Sequence, residues 1–343
     1  MPMRPELRRR GALLAASLIC IALCAGCGEV HAQLTLGPPR PLTVAIAGQP
    51  SALYASLYTA RADGDFARGA LAVTIVRPPG SDPLRALELG SADVAIVSEP
   101  ALLAARDGGA QVVAIAALVR QPLEGIVSLA RQPVTTARSL AGRTIALSPT
   151  ALARAQLAAA LAGARVSPSR IRQITVAGDL NGALSARRAV ATLGGLWPID
   201  AVALSLAHQH PQVLEIQQAG VPTYSQLVVV VRVNEAHRNG PLLRAFMQSL
   251  TRGERATAAN PAAAAATLAK VNPRLSAQFE RAVLADTLPL ASPSDPSKPF
   301  GYQDPYAWQA FAAWMHRYGL VANPRGSGLA ITDEFLPGEG AGG

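Results

Sequence analysis

Val112-Val-Ala-Ile-Ala-Ala-Leu-Val119, then Arg120-Gln-Pro-Leu-Glu124, then Gly125-Ile-Val-Ser-Leu129, is the stretch on which the fold turns. The unbroken apolar run at 112–119 is too short to span a membrane, and an apolar run without polar alternation reads as a strand buried on both faces. Pro122 cannot sit within a hydrogen-bonded ladder, so the strand ends before it and a second strand resumes at Gly125. A buried strand that leaves its sheet through a proline-marked crossing and starts another sheet predicts two lobes.

Upstream, strands alternate with helices. Residues 42–47 read as a buried strand, 51–62 as a helix with Leu53, Leu57 and Ala60 at helical spacing, and 71–76 as a strand stopped by Pro78-Pro79-Gly80. A helix over 83–89, a strand over 93–97 and a helix over 99–106 lead into Val112. Downstream, strands are expected at 144–147, 171–176, 191–193 and 213–217, with helices at 151–161, 180–189 and 197–208. The apolar run 226–233 returns the chain. Beyond it only helical patterns follow, two of them opened by a cap residue before proline, Asn260-Pro261 and Asp304-Pro305. The pattern predicts an α/β clamp of two lobes, each a mainly parallel sheet flanked by helices. The first lobe is expected over 42–124 and 232–325 and the second over 125–231. A tether precedes them at 28–41 and a partly disordered tail follows at 326–343. The crossings are expected near 120–125 and 224–233.

At the N-terminus Arg4, Arg8, Arg9 and Arg10 precede an apolar run from Ala12 to Leu23, followed by small residues and Cys27, the pattern of an export signal. Cys24-Ala25-Gly26-Cys27 is similar to a bacterial lipobox, with Cys27 as the lipidated residue and Cys24 where leucine is usual. Val30-His31-Ala32 is an ordinary cleavage site and the alternative. Residues 1–27 are thus expected to direct export, leaving the protein lipid-anchored outside the cytoplasmic membrane or free in the periplasm. All three cysteines, Cys20, Cys24 and Cys27, lie in this segment, so the remainder forms no disulfide and offers no cysteine nucleophile. The net charge of +9 is nearly all arginine, since Lys270 and Lys298 are the only lysines. The arginines are scattered along the sequence without interleaved aromatics. The charge therefore reads as solvated arginine, and no nucleic-acid partner is expected.

Catalytic patterns are largely missing. There is no phosphate-binding Walker loop, no G-x-G-x-x-G, no G-x-S-x-G and no histidine pair at helical metal spacing. His208 and His210 sit beside Pro211 at a loop end, a poor metal pattern, so neither a metal nor a cofactor is expected. In a parallel sheet, ligand contacts come from loops at the carboxyl ends of strands. Those loops carry Gln49 and Ser51, Ser98 and Glu99, Glu124, Ser148, Gly194 and Gly195, and Tyr224. Several run into helices, whose free N–H groups would face a ligand. Tyr54, Trp197 and Tyr224 offer flat faces for a ring, or serve as core and rim packing. Glu99 and Glu124 read either as acceptors for a ligand or as surface charges. Trp308, Phe311, Met315 and Tyr318 form a stripe at helical spacing and read as packing of the helical tail on a lobe.

Several segments together resemble one family. They are Val112–Gly125, Gly194-Gly-Leu-Trp-Pro-Ile-Asp200, Pro222-Thr-Tyr-Ser-Gln-Leu227 and Tyr302-Gln-Asp-Pro-Tyr-Ala-Trp-Gln-Ala-Phe-Ala-Ala-Trp-Met315. From about Leu42 to Val321 the chain is similar to substrate-binding proteins of ABC importers in the branch that binds thiamine pyrimidine precursors, which shares its fold with yeast pyrimidine synthases. The resemblance implies a type II periplasmic-binding-protein clamp. It would act as a monomer, capture a small aminopyrimidine-like nutrient and deliver it to a permease with its ATPase. The branch carries a Gly-Gly-aromatic-Trp-Asn-x-Glu motif at the cleft. Here Leu196 replaces the aromatic, Pro198 the Asn and Asp200 the Glu, so Trp197 and an acid remain while the amide is lost. A carboxylate there would accept N–H groups of the ring. Riboflavin, a sulfonate or another small solute is the alternative ligand, and a sensory or partner-binding lipoprotein the alternative role. A synthase would require a cofactor-bearing lysine and a cysteine motif, and neither lysine falls on an expected cleft loop.

Overall fold

The computed structural model describes residues 38–293 and 295–338. The expected signal segment with Cys27, most of the expected tether, and residues 339–343 lie outside the described residues.

The chain opens with β1 (Arg40–Ile46), a 3-10 turn (Ala52–Tyr54), α1 (Ala55–Ala62), α2 (Asp65–Arg68), β2 (Leu71–Val76), α3 (Pro83–Glu88), β3 (Val94–Val97), α4 (Glu99–Asp107) and β4 (Val112–Val119). It crosses into β5 (Gly125–Leu129), β6 (Thr144–Leu147), α5 (Ala151–Gly163), β7 (Arg172–Thr175), α6 (Leu180–Ser185), β8 (Ala191–Leu193), α7 (Trp197–Leu206) and β9 (Pro211–Glu215). It returns as β10 (Leu227–Arg232) and continues through α8 (Val233–Arg238), α9 (Gly240–Ala259), α10 (Pro261–Val271), α11 (Ala277–Ala291) and α12 (Pro305–Arg317). Asn260 and Asp304 cap α10 and α12 as expected, each accepting a backbone N–H through its side chain.

Two five-stranded sheets result, in the orders β2-β1-β3-β10-β4 and β7-β6-β8-β5-β9. In each, four strands run in one direction and one runs against them: β10 is antiparallel to β3 and β4, and β5 to β8 and β9. The sheets are mainly parallel, as expected. The odd strand in each is the one that arrives from the other lobe. In β10 the apolar residues alternate between two cores. Val228 and Val230 face α3, α4 and α12 through Leu87, Leu102, Trp308 and Phe311. Val229 and Val231 face α1, α9 and α10 through Leu57, Phe246, Leu250 and Leu268. The stripe Trp308, Phe311 and Met315 is fully buried against the first of these cores, with Tyr318 packed on it, so the packing reading holds.

Three boundaries differ from the sequence reading. The expected second lobe ran to residue 231, but β10 already belongs to the first sheet. A strand buried on both faces is pulled to the sheet centre, so the crossing is complete by Gln226, whose Oε1 accepts the Leu123 N–H at 3.0 Å. The expected tether to residue 41 is cut short at Arg40, which begins β1 with its N–H on the Ala70 carbonyl at 2.8 Å. The expected tail from 326 is in part fold. Ile331 bridges β4 at Ala114, and Ala330, Phe335 and Leu336 are buried. Aperiodic apolar residues after a glycine-rich stretch carried no element pattern, so this edge cover was not legible.

Phe335→Ala therefore removes a buried ring from the first lobe. Urea unfolding followed by tryptophan fluorescence should show a loss of about 3–5 kcal/mol, whereas a disordered tail would show no change.

Candidate functional site

The parallel strands of both sheets turn their carboxyl ends to the two crossings, 120–124 and 220–226, where β5 and β10 begin. Most of the polar groups there are buried. Tyr224 Oη donates to Glu124 Oε2 and accepts from Gln156 Nε2 at 3.0 Å, which joins the two crossings to α5 of the second lobe. Glu99, the first residue of α4, accepts the Ser225 N–H at 2.7 Å through Oε2, and its Oε1 is buried without a partner. Glu99 is 1% and Glu124 9% exposed, so neither is a surface charge. Burial pushes the Glu99 carboxyl up to about 8, against the lowering effect of the Ser225 N–H. It also raises Glu124, against its bond from Tyr224. Tyr224 is driven upward by burial first and by Glu124 second. Its ring leans on Phe311 of α12, centroids 4.3 Å apart. A cavity of about 220 Å³ opens beside this cluster, lined by Glu99, Arg120, Thr223, Tyr224, Tyr302 and Asp304 among others.

A second group forms at the ends of β6 and β8. Gly194 has φ +104°, and a Cβ there would lie 2.0 Å from Ser148 Oγ. A Cβ on Gly195 would lie 2.0 Å from Asp200 Oδ2. The two glycines thus leave space that Ser148 and Asp200 occupy, which is why the pair stands there. Burial, and after it the nearby Asp179, push Asp200 up to about 6. Trp197 opens α7, its N–H on the Leu123 carbonyl at 2.7 Å, and Glu124 bridges Leu196. The indole packs on Val127, Leu129, Leu184 and Leu204, and its Nε1 is buried without a partner. Trp197 is therefore a packing residue with an unused donor.

The other candidates are placed separately. Tyr54 is buried in the first lobe's core with its hydroxyl on the Ala47 carbonyl at 2.9 Å, and burial pushes it up to about 12. Gln49 is exposed and Ser51 half-buried in the loop after β1. Ser98 caps α4 through the Ala101 N–H. The structure thus unites Glu99, Glu124 and Tyr224 in one cluster and Ser148, Gly194, Gly195 and Asp200 in another.

Four residues escaped the sequence reading. Gln156 and Gln226 tie the crossings, Glu280 accepts the Ala52 N–H at 2.6 Å, and Arg120 donates to the Tyr302 carbonyl at 3.1 Å. Gln156 alone left a signal, as the one polar residue of the run Ala155–Leu161. Lys298 places its Nζ 4.7 Å from the centre of the Tyr302 ring.

Residues 52–264 match the model of the NMT1/THI5-like family. The chain belongs to that family. It is 25% identical over 278 residues to the formylaminopyrimidine-binding protein of Halalkalibacterium halodurans, covering 80% of this chain and 84% of the relative. It is 24% identical over 272 residues to a putative thiamine biosynthesis protein of Haemophilus influenzae, covering 78% and 84%. Among solved structures, the periplasmic aliphatic sulphonate binding protein SsuA of Escherichia coli superimposes with a TM-score of 0.67 at 19% identity, covering 87% of this chain and 99% of that one. The fold of this family member is the periplasmic-binding-protein clamp, two mixed sheets flanked by helices.

Glu99 and Asp200 bind protons more tightly folded than unfolded, because burial raises both. Stability from these groups is complete below about pH 4 and is lost as pH rises through about 6 and 8. Thermal unfolding between pH 4 and 9 should show the melting temperature falling with pH, and Glu99→Gln should flatten the upper half of that slope.

Proposed function

We propose that this family member is the extracytoplasmic solute-binding component of an ABC importer. We infer that its clamp closes on a small heteroaromatic ring bearing amino N–H donors, a thiamine pyrimidine precursor such as hydroxymethyl- or formylamino-pyrimidine. The observation that carries the ligand class is the buried pair Glu99 and Glu124 around Tyr224, with Glu99 Oε1 unpaired. A buried acceptor without a donor costs about 1–3 kcal/mol, and a ligand N–H would recover it. Asp200 adds an acceptor across the crossings, and Trp197 Nε1 adds a donor suited to a ring nitrogen. The family and the formylaminopyrimidine-binding relative support the same class.

In this reading the two crossings act as the hinge, and the lobes approach around the ring and reopen against the permease and its ATPase. Cys27 holds the protein at the membrane by its lipid, and a monomer suffices for capture. No residue of the cluster is assigned a catalytic role. The synthase alternative still lacks its cysteines, and Lys298 is not among the residues that line the cavity.

A sulfonate is the second reading, because Arg120 lines the same cavity. Its guanidinium faces Asp304 and Asp333, however, and Glu99 shares the wall, so the surroundings disfavour an anion.

Calorimetric titration of the purified protein with both pyrimidines, riboflavin and taurine tests this. Pyrimidine binding should weaken on the order of 10- to 100-fold in Glu99→Gln, as for one hydrogen bond to a charged or buried group, and also in Trp197→Ala. Heat from taurine and none from a pyrimidine would leave the fold standing and remove the proposed ligand class.

A further inference from the structure

The charge that looks scattered in sequence is sorted by the second sheet. Its four parallel strands send their carboxyl ends to the junction and their amino ends to the far edge, and β5, running against them, ends at that far edge. Every strand carries a basic residue there. Arg170 and Arg172 open β7, Arg143 precedes β6, and Arg187 and Arg188 precede β8. Arg131 follows β5, and His208 and His210 precede β9. Backbone bonds hold these segments side by side: Arg172 N to Arg143 O at 2.9 Å, Gly142 N to Arg170 O at 2.6 Å, Val190 N to Thr144 O at 2.9 Å and Ala130 N to His210 O at 2.8 Å. Arg138 lies in the turn leading to β6, and Arg165 at the end of α5.

Arg131, Arg138, Arg165, Arg170, Arg172, Arg187 and Arg188 are exposed and Arg143 is half-buried. The three acids of residues 125–226, Asp179, Asp200 and Glu215, all lie at the carboxyl ends of strands or the first turns of the helices that follow them, toward the junction. The ion pairs found among the described residues all lie in the first lobe. The corresponding edge of the first sheet is mixed, with Asp93 and Asp107 beside Arg40 and Arg106.

Two of the arginines hold strained backbone. Arg165 and Arg187 end α5 and α6 at φ +56° and +57°, positions that glycine fills at lower cost. Both residues follow the carboxyl, negative end of a helix.

We propose that this far edge of the second lobe is a docking surface for the anionic face of a lipid bilayer. A protein partner would call for aromatic or apolar anchors, and single-stranded nucleic acid for stacking rings. Residues 129–131, 138–143, 163–172, 185–190 and 206–211 contain no aromatic, and Leu206 is the one large exposed hydrophobic among them. A dense field of guanidinium groups on a surface without anchors fits a diffuse sheet of negative headgroups, which attracts about 1 kcal/mol per arginine near it. The surface lies at the end of the lobe away from the junction, so occupying it leaves the clamp free.

The test is co-sedimentation of the purified protein with phosphatidylglycerol–phosphatidylcholine vesicles and with pure phosphatidylcholine vesicles, at 0.05, 0.15 and 0.5 M salt. The neutral vesicles report any insertion by the apolar N-terminal run. Binding to the anionic vesicles should exceed that to neutral ones and fade by 0.5 M salt. Arg143→Gln/Arg172→Gln/Arg188→Gln should lower it on the order of 100-fold, while Arg77→Gln/Arg255→Gln/Arg281→Gln, exposed in the first lobe, should lower it far less. Equal binding to both vesicles, equal loss in the two triple variants, or tighter retention on single-stranded or duplex DNA than on anionic vesicles at 0.15 M salt would each overturn the proposal.

Discussion

One excursion of the chain organises the molecule: β5 enters the second sheet between β8 and β9 as the chain leaves the first lobe, and β10 enters the first sheet between β3 and β4 as it returns. The first sheet is completed only by the strand that returns after the second crossing. The first lobe cannot form the pairings of β3 and β4 with β10 until the chain has passed through both crossings, whereas the second is built from the consecutive strands β5 to β9. The crossings are therefore short, and they are forced next to each other. That forces the residues of 120–124 against those of 220–226, and Glu124, Tyr224 and Gln226 meet as a consequence of topology rather than of local preference.

The junction formed in this way is a poor place for charge and a good place for a specific contact. Carboxyls are placed there at a cost, since burial outweighs the bonds they accept and raises both Glu99 and Glu124. A core built only for stability would not hold two acids at one junction, one of them with an unused oxygen. Under the proposed function, polar groups left unmatched where the two lobes meet are matched by the ligand. The glycine pair at 194–195 fits this view, because its missing side chains leave Ser148 and Asp200 room at the same strand ends.

Much of the fold was legible because its signals are local. Unbroken apolar runs such as 112–119, proline stops and caps such as Asp304-Pro305 each depend on a few neighbouring residues. What failed depends on distant partners. Nothing around residues 227–231 says which sheet the strand joins, only that both faces are buried. Phe335 and Leu336 show no period, because they cover the edge as single plugs. The site was half legible for the same reason. Loop positions at strand ends pointed to Glu99, Glu124 and Tyr224, but whether those carboxyls faced solvent or the interior was decided by Ser225 and Gln156, far along the chain. Tyr54 and Trp197 stayed open between ligand-facing rings and packing because aromatic residues at loops read alike whether they turn outward or inward.

The same parallel topology that gathers acceptors at the junction also decides where the arginines go. In the second lobe every loop at one end of the sheet leads out of a parallel strand, and every loop at the other end leads into one. Residues of like function therefore collect at one end however far apart they stand in sequence. Acids collect at the junction and bases at the far edge, with Arg154 the exception, its Nη1 on the Pro149 carbonyl. The separation has an electrostatic use. At physiological salt, fields fade over about 8 Å. A basic far edge therefore leaves the field at the junction to its own carboxyls while the protein as a whole stays positive, as the proposed donor-rich ligand requires. Had the arginines been spread over both ends, their field at the junction would favour small anions over the proposed donor-rich ring.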